Sequence, residues 1–370
     1  MKNHLAIFTV PLFASIGIST GPALADESAI ALDRVVIERH VDTFAVLPDG
    51  VRLPEGIAAN PANGDIYVAT FDAPPGNRPN KLLRYDRNGK LVASLDFGNT
   101  PLLGLEFDQT SKKVYILNVG DFAGVDSKIQ RVAADLSHLE DVAIIPKIGA
   151  PGPRTVANPD GSSDTITFGS GARVPNAMTF DSHGNLYVSD SFQGAVFKIT
   201  NPAGCVPNCS VETFSHDPLL ATDGFPPFGA NGLAFNKDES ALFICNTGDD
   251  RVLRLDMVSG TRTVTVFAES LNGADGLVAD DQGRLWVATN QADEVVALNE
   301  QGKVIVKLGE FRGINRNGTP DGLLFPASPV IVGDEMFVTN LAIALTPAVG
   351  DEPEEDVTRW TISRMKVPQR

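Results

Sequence analysis

Cysteine is scarce, with three in 370 residues. No further Cys pair or paired His accompanies Cys205 and Cys209, so a thiolate or imidazole metal centre lacks ligands. Basic residues are outnumbered: 30 Lys and Arg face 46 Asp and Glu, a formal charge of −16, or about −17 if a leader carrying Lys2 is removed. A surface of that sign repels nucleic acid and anionic lipid, so the expected partners are neutral or cationic small molecules. Long apolar runs are missing beyond the N-terminus, which excludes later membrane-spanning helices.

The N-terminus itself has Met1, Lys2 and His4, an apolar stretch from Leu5 to Ile18, and Ala23-Leu24-Ala25 before Asp26. That is the grammar of a secretory signal peptide over residues 1–25. The expected product is an exported monomer, secreted or periplasmic, with no membrane attachment once the leader is cleaved. In an oxidising compartment Cys205 and Cys209, in CVPNC, can close a small loop by disulfide. Cys245, inside the apolar run LFICN, reads as a buried core thiol.

What the chain does contain is a repeat. Leu53 to Thr70 (LPEGIAANPANGDIYVAT), Pro101 to Asn118, Val174 to Asp190, Gly229 to Asn246, Gly273 to Asn290 (GADGLVADDQGRLWVATN) and a shortened Ala327 to Asn340 align with one another. Each has an apolar segment, a turn rich in Asn, Asp and Gly, and an alternating strand with an early aromatic such as Tyr67 or Trp286, which is hairpin grammar. Two further strand-like runs follow most hairpins, as at Lys81 to Tyr85 and Leu91 to Leu95. Four strands per unit, repeated over roughly 45 to 75 residues, predict an all-β, six-bladed propeller spanning residues 26–370 as one domain.

The sixth unit has its hairpin and one more strand, Val357 to Met365, before the chain ends at Arg370. The strand-like stretch Arg34 to Val46 belongs to no other unit, so it is expected to complete the last blade and close the ring, removing two open sheet edges. Two insertions, Pro146 to Arg173 and Leu341 to Asp356, read as loops. In a closed ring both emerge on the face where the inner strands begin.

Four residues share one phase of the repeat: Glu55, Asn176, Asn231 and Asp275, each followed by a small residue. Asn-Gly and Asp-Gly are ordinary turn dipeptides. Here, however, the hairpin turns are already supplied by Asn63-Gly64, His183-Gly184 and Gln282-Gly283. In a ring the four anchors converge on the axis, where two carboxylates and two amide carbonyls balance one hard dication, calcium before zinc. Calcium takes more ligands than four, which leaves room for water or substrate. Leu103 and Ser328 take the remaining two anchor positions and shape the wall.

LPEG, VPNA, GANG and GADG, in that blade order, resemble the regucalcin and gluconolactonase (senescence marker protein) family, with the related paraoxonases and diisopropyl fluorophosphatases. The resemblance implies a catalytic divalent cation, usually calcium, held by Glu55, Asn176, Asn231 and Asp275, with Asp275 also the general base or nucleophile. The implied reaction is hydrolysis of a lactone, ester or phosphotriester. Departures exist: Arg173 lies three residues before Asn176 where regucalcin-type chains carry Arg two before, and no equivalent of the paraoxonase His pair is present. Arg173, Phe225 and Phe228 are the expected substrate contacts. The competing readings are a non-catalytic propeller that binds protein or glycan around a structural ion, and a strictosidine synthase-like non-hydrolytic enzyme.

Overall fold

The computed structural model describes residues 34–73, 79–122, 124–169, 171–346 and 348–369; the signal peptide expected at 1–25 lies outside them. Six four-stranded antiparallel sheets follow one another along the chain as blades. Their innermost strands are Pro54–Asn60, Leu102–Asp108, Pro175–Phe180, Ala230–Phe235, Ala274–Ala279 and Pro326–Val332. Each touches the inner strand of the next blade, and the sixth touches the first, so the ring closes. The second strand of each blade is almost wholly buried, as in Asp65–Thr70 and Ala241–Asn246. That follows from its apolar residues facing both neighbouring blades.

Closure is more elaborate than one strand. Asp42–Val46 pairs antiparallel with Thr361–Lys366 and completes blade six. Val36–Glu38 instead pairs parallel with Val304–Leu308 and adds a fifth strand to blade five. The stretch expected as a single closing strand therefore serves two blades. The last strand begins at Thr361 rather than Val357, because a 3-10 turn at Pro353–Asp356 and the turn into Trp360 use the preceding residues.

The insertion expected as a loop at 146–173 contains a hairpin, Arg154–Ala157 with Ser163–Ile166. Its strands are mostly exposed and have no apolar face, which is why periodicity did not reveal them. The second insertion is irregular apart from its 3-10 turn. Cys205 and Cys209 are joined in a disulfide, with Cα atoms 4.9 Å apart, and Cys245 is free and buried.

Every inner strand slips by one residue against its partner immediately after its start: between Pro54 and Ile57, Leu102 and Leu105, Pro175 and Met178, Ala230 and Leu233, Ala274 and Leu277, Pro326 and Pro329. A bulge of this kind re-aims the side chain at its first residue. It turns Glu55, Leu103, Asn176, Asn231 and Asp275 toward the axis. The same register makes Ala327, not Ser328, the sixth anchor, since Pro326 pairs with Asn340 as Ala274 pairs with Thr289. Ser328 occupies the following small-residue position and lines the channel on the far side of the ring.

That small position has a packing reason. A Cβ on Gly56 would lie 2.0 Å from the Leu103 carbonyl oxygen, and one on Gly232 would lie 2.5 Å from the carbonyl oxygen of Asp275. Adjacent inner strands approach so closely that the residue after each anchor rests on the main chain of the next anchor.

Candidate functional site

At the anchor end of the axis the ring encloses a cavity of about 90 Å³. Glu55, Asn176, Asn231 and Asp275 all line it, from four different blades. All four are buried. Thr247 and Asn290, at the ends of second strands or just beyond them, join them. Asn290 is one of five polar residues, with Asp72, Asp121, Asp190 and Asn246, that the repeat places at second-strand ends. It alone among them reaches the cavity.

Hydrogen bonds fix how the polar groups face. Asn176 Nδ2 donates to Ser191 Oγ at 2.9 Å. Asn231 Nδ2 donates both to Thr247 Oγ1 at 3.0 Å and to Asp275 Oδ1 at 2.6 Å. Asn290 Nδ2 donates to Asp275 Oδ2 at 3.0 Å. The hydroxyls in turn tie down the anchor main chain: Ser189 Oγ donates to the Asn231 carbonyl at 2.8 Å, Thr247 Oγ1 to the Ala274 carbonyl at 2.8 Å, and Thr339 Oγ1 to the Glu55 carbonyl at 2.6 Å. Small hydroxylated residues in the second strands therefore position the first-strand anchors.

The amide nitrogens being occupied, oxygens are left over. Glu55 Oε2, Asn176 Oδ1 and Asn290 Oδ1 are buried without any hydrogen-bond partner. Orphaned buried acceptors are rare in folded proteins because each costs roughly 1–3 kcal/mol. Burial first, and then the Asp275 charge, push the Glu55 carboxyl well above its ordinary range. Burial likewise raises Asp275, to about 7, against the opposing hydrogen bonds from Asn290 and Asn231. Two carboxylates forced together beside unpartnered acceptor oxygens fit a hard divalent cation, which would supply the missing positive charge and ligands. Among the described residues no group of three or more His, Cys, Asp and Glu comes together, because two amides take the place of further acids.

The cavity wall above this polar floor is apolar. Phe71, Leu103, Pro226 and Phe228 form one side; Phe325 with Leu341, Ile343 and Leu345 forms the other. Phe228 thus lies where substrate contact is expected. Phe225 is 58% exposed and outside the lining, and Arg173 is held by Asp126 at 2.6 Å, also outside it. Of the two insertions, 341–356 supplies wall residues; the hairpin in 146–173 reaches the same face through Arg154, which pairs with Asp249 at 2.9 Å, and contributes no lining. The loop residues were missed because nothing in an irregular, acid-rich stretch marks which side chains turn inward. Trp360 does so here: its Nε1 donates to the Leu341 carbonyl at 3.0 Å, and its ring packs against the same Leu53, Phe325, Ala327 and Leu341 cluster as Ile343 and Leu345.

Comparison with known proteins gives concordant relatives. The sequence profile of the SMP-30/Gluconolactonase/LRE-like region matches residues 222–309. Lactonase drp35 of Staphylococcus aureus is 28% identical over 152 residues, 39% of this chain and 44% of the relative, so the match spans less than half of that protein. A luciferin-regenerating enzyme superposes with a TM-score of 0.58 at 14% identity, over 89% of this chain and 96% of that one. A calcium-binding regucalcin from Agrobacterium tumefaciens gives 0.55 at 15% identity, over 90% and 98%. The structural likenesses show the propeller fold, and the profile and drp35 matches support the resemblance to the regucalcin and gluconolactonase family.

Proposed function

We propose that this chain, a relative of the SMP-30/gluconolactonase/LRE-like proteins, is a divalent-cation-dependent hydrolase of lactones, esters or phosphotriesters, with calcium the cation. One observation carries the reading: two mutually repelling buried carboxylates, of which Glu55 has an orphaned oxygen, meet the orphaned amide oxygens of Asn176 and Asn290 in the lining of an apolar-walled cavity. A purely structural ion would not need an open cavity above it. Glu55, Asn176, Asn231 and Asp275 would hold the cation, which when bound supplies Lewis-acid polarisation of the substrate's carbonyl or phosphoryl oxygen.

The protein's own part follows from its hydrogen bonds. Asn231 and Asn290 clamp both oxygens of Asp275 and so fix the plane of that carboxylate. Asp275 acts as general base toward an attacking water, or as the nucleophile itself. The apolar walls keep bulk water away from the reacting carbonyl. Export to the periplasm or beyond is supported by the leader-like N-terminus and by the disulfide; among the described residues no helix is long and apolar enough to cross a membrane.

Asp275→Asn keeps the shape and both amide neighbours but removes the charge. Turnover of lactones and aryl esters should fall by roughly 10² to 10⁴, with an unchanged circular dichroism spectrum. A chelator should abolish turnover of the unmodified chain and added calcium should restore it. Full activity after either treatment would sink the proposal; a folded chain that turns over none of these substrates would favour the non-catalytic propeller.

A further inference from the structure

The composition of the cavity narrows the substrate, and this step rests on the hydrolase reading above. Each side-chain donor atom among the described lining residues already has a hydrogen-bond partner: the three amide nitrogens with Ser191, Thr247 and Asp275, and the Thr247 hydroxyl with the Ala274 carbonyl. No Arg, Lys, His or Ser lines the cavity among the described residues. The orphaned acceptors of the lining, Glu55 Oε2, Asn176 Oδ1 and Asn290 Oδ1, belong to the residues around the carboxylate pair. A polyhydroxylated ring placed here would bury those hydroxyls that face the walls against Phe, Leu and Ile, which neither donate nor accept hydrogen bonds. Each unpaired hydroxyl lowers binding by roughly fivefold or more.

The walls are built for the opposite kind of molecule. Phe71, Leu103 and Phe228 belong to one apolar cluster, in which Phe71 and Phe228 meet edge-on at 6.4 Å between ring centroids. Phe325, Ile343 and Leu345 belong to a second cluster across the cavity. Were these clusters only core, they would close on one another; instead a gap separates them, and Phe228, Ile343 and Leu345 keep part of their surface accessible. The gap, at about 90 Å³, is smaller than the roughly 150 Å³ cavity that accepts a benzene ring. The gap between the walls therefore takes a short alkyl group and no aryl ring.

We infer that the substrate is an apolar lactone or ester, with a short alkyl substituent lying between the Phe71–Phe228 wall and the 343–345 loop, and not a sugar lactone. Leu345 is the specificity residue, since it is a wall position that keeps part of its surface accessible and lies on the insertion rather than on a blade.

The test uses the full calcium-loaded chain and one ring system. Hydrolysis rates are measured for δ-valerolactone, its methyl- and propyl-substituted homologues, and glucono-δ-lactone. In parallel, binding of the corresponding non-hydrolysable lactams is read by ligand-observed NMR. The expected result is a kcat/KM and lactam affinity that rise roughly threefold or more with each of the first added methylenes, with the sugar compounds at least tenfold below the methyl-substituted ones. Leu345→Asp should flatten that rise in both kcat/KM and lactam affinity, and an undiminished rise would overturn the role given to Leu345. Equal or better handling of gluconolactone and its lactam would overturn the inference while leaving the hydrolase reading intact. Alkyl lactams that bind in the expected order, with no lactone hydrolysed, would support the apolar site and overturn the hydrolase reading instead.

Discussion

The carbonyl of Asn176 faces the cavity because a single hydroxyl claims its amide nitrogen. Ser191 Oγ accepts that N–H and itself donates to the Ala230 carbonyl at 2.8 Å. Ser191→Ala leaves both partners unmatched and frees the amide to turn its nitrogen toward the floor. Removing such an outer partner typically weakens metal affinity tenfold or more, so calcium titration calorimetry should show at least a tenfold loss, with Ser191→Thr close to the unmodified chain. Equal affinities in all three would mean that the hydroxyl does not orient the ligand. On the far side of the ring Glu106 lines a separate channel of about 380 Å³. Its carboxyl retains some contact with the channel yet has protein around it, and burial pushes it up to about 8. Because the folded value is the higher one, the unfolded chain loses this proton first. Stability from this group is full below about pH 4.5 and is lost as pH rises toward 8. Glu106→Gln removes that loss, so its advantage in urea unfolding should grow across this window to on the order of 2 kcal/mol. A pH-independent difference would show that Glu106 titrates normally.

Each inner strand carries a bulge, an anchor and a small residue in fixed order, and that order made the site readable from sequence. Glu55-Gly56, Asn231-Gly232 and Asp275-Gly276 stand out because the packing leaves no room for a side chain after the anchor. The same signal failed in blade six, where Ala327 and Ser328 are both small and the pattern does not say which is the anchor. Sequence expected Asn290 at the rim of the funnel together with Asp72, Asp121, Asp190 and Asn246, did not single it out from them, and missed Thr247, since many polar residues merely end strands. The hairpin at 154–166 was invisible for want of an apolar face, and the inward residues of 341–356 depend on Trp360, which lies beyond that insertion. The packing rule is testable on its own terms. Gly56→Ala puts a methyl group 2.0 Å from the Leu103 carbonyl, and main chain cannot give way as a side-chain tip can. The expected cost is about 2–3 kcal/mol or more by chemical denaturation, whereas Gly260→Ala, in an outer turn with open space, loses only what its positive φ demands. Similar losses at both sites would mean that close approach is not what fixes Gly56.

At the scale of the ring, closure depends on chain ends far apart in sequence. Asp42–Val46 pairs with Thr361–Lys366, and its buried Ala45, with Leu47 just beyond, packs in the cluster that also holds Ile57, Tyr85 and Ile362. This strand thus joins blades one and six as well as completing a sheet. Val36–Glu38 is different: all three residues are exposed, and the strand only extends the edge of blade five. A chain shortened to begin at residue 40 should keep its unfolding cooperativity and lose little stability. One shortened to begin at residue 48 loses the closing strand and Leu47, uncovers the edge of Thr361–Lys366 and opens a seam between first and last blades. Unpaired edges of that kind recruit other chains, so light scattering should find dimers or aggregates and calorimetry a broadened, lower transition. Calcium affinity should fall with it, because Glu55 comes from blade one and Asp275 from blade five, on opposite sides of the seam's blade six. If the shorter chain stays monomeric with a single sharp transition, the contacts between inner strands hold the ring unaided, and the N-terminal strand is a cover rather than a clasp.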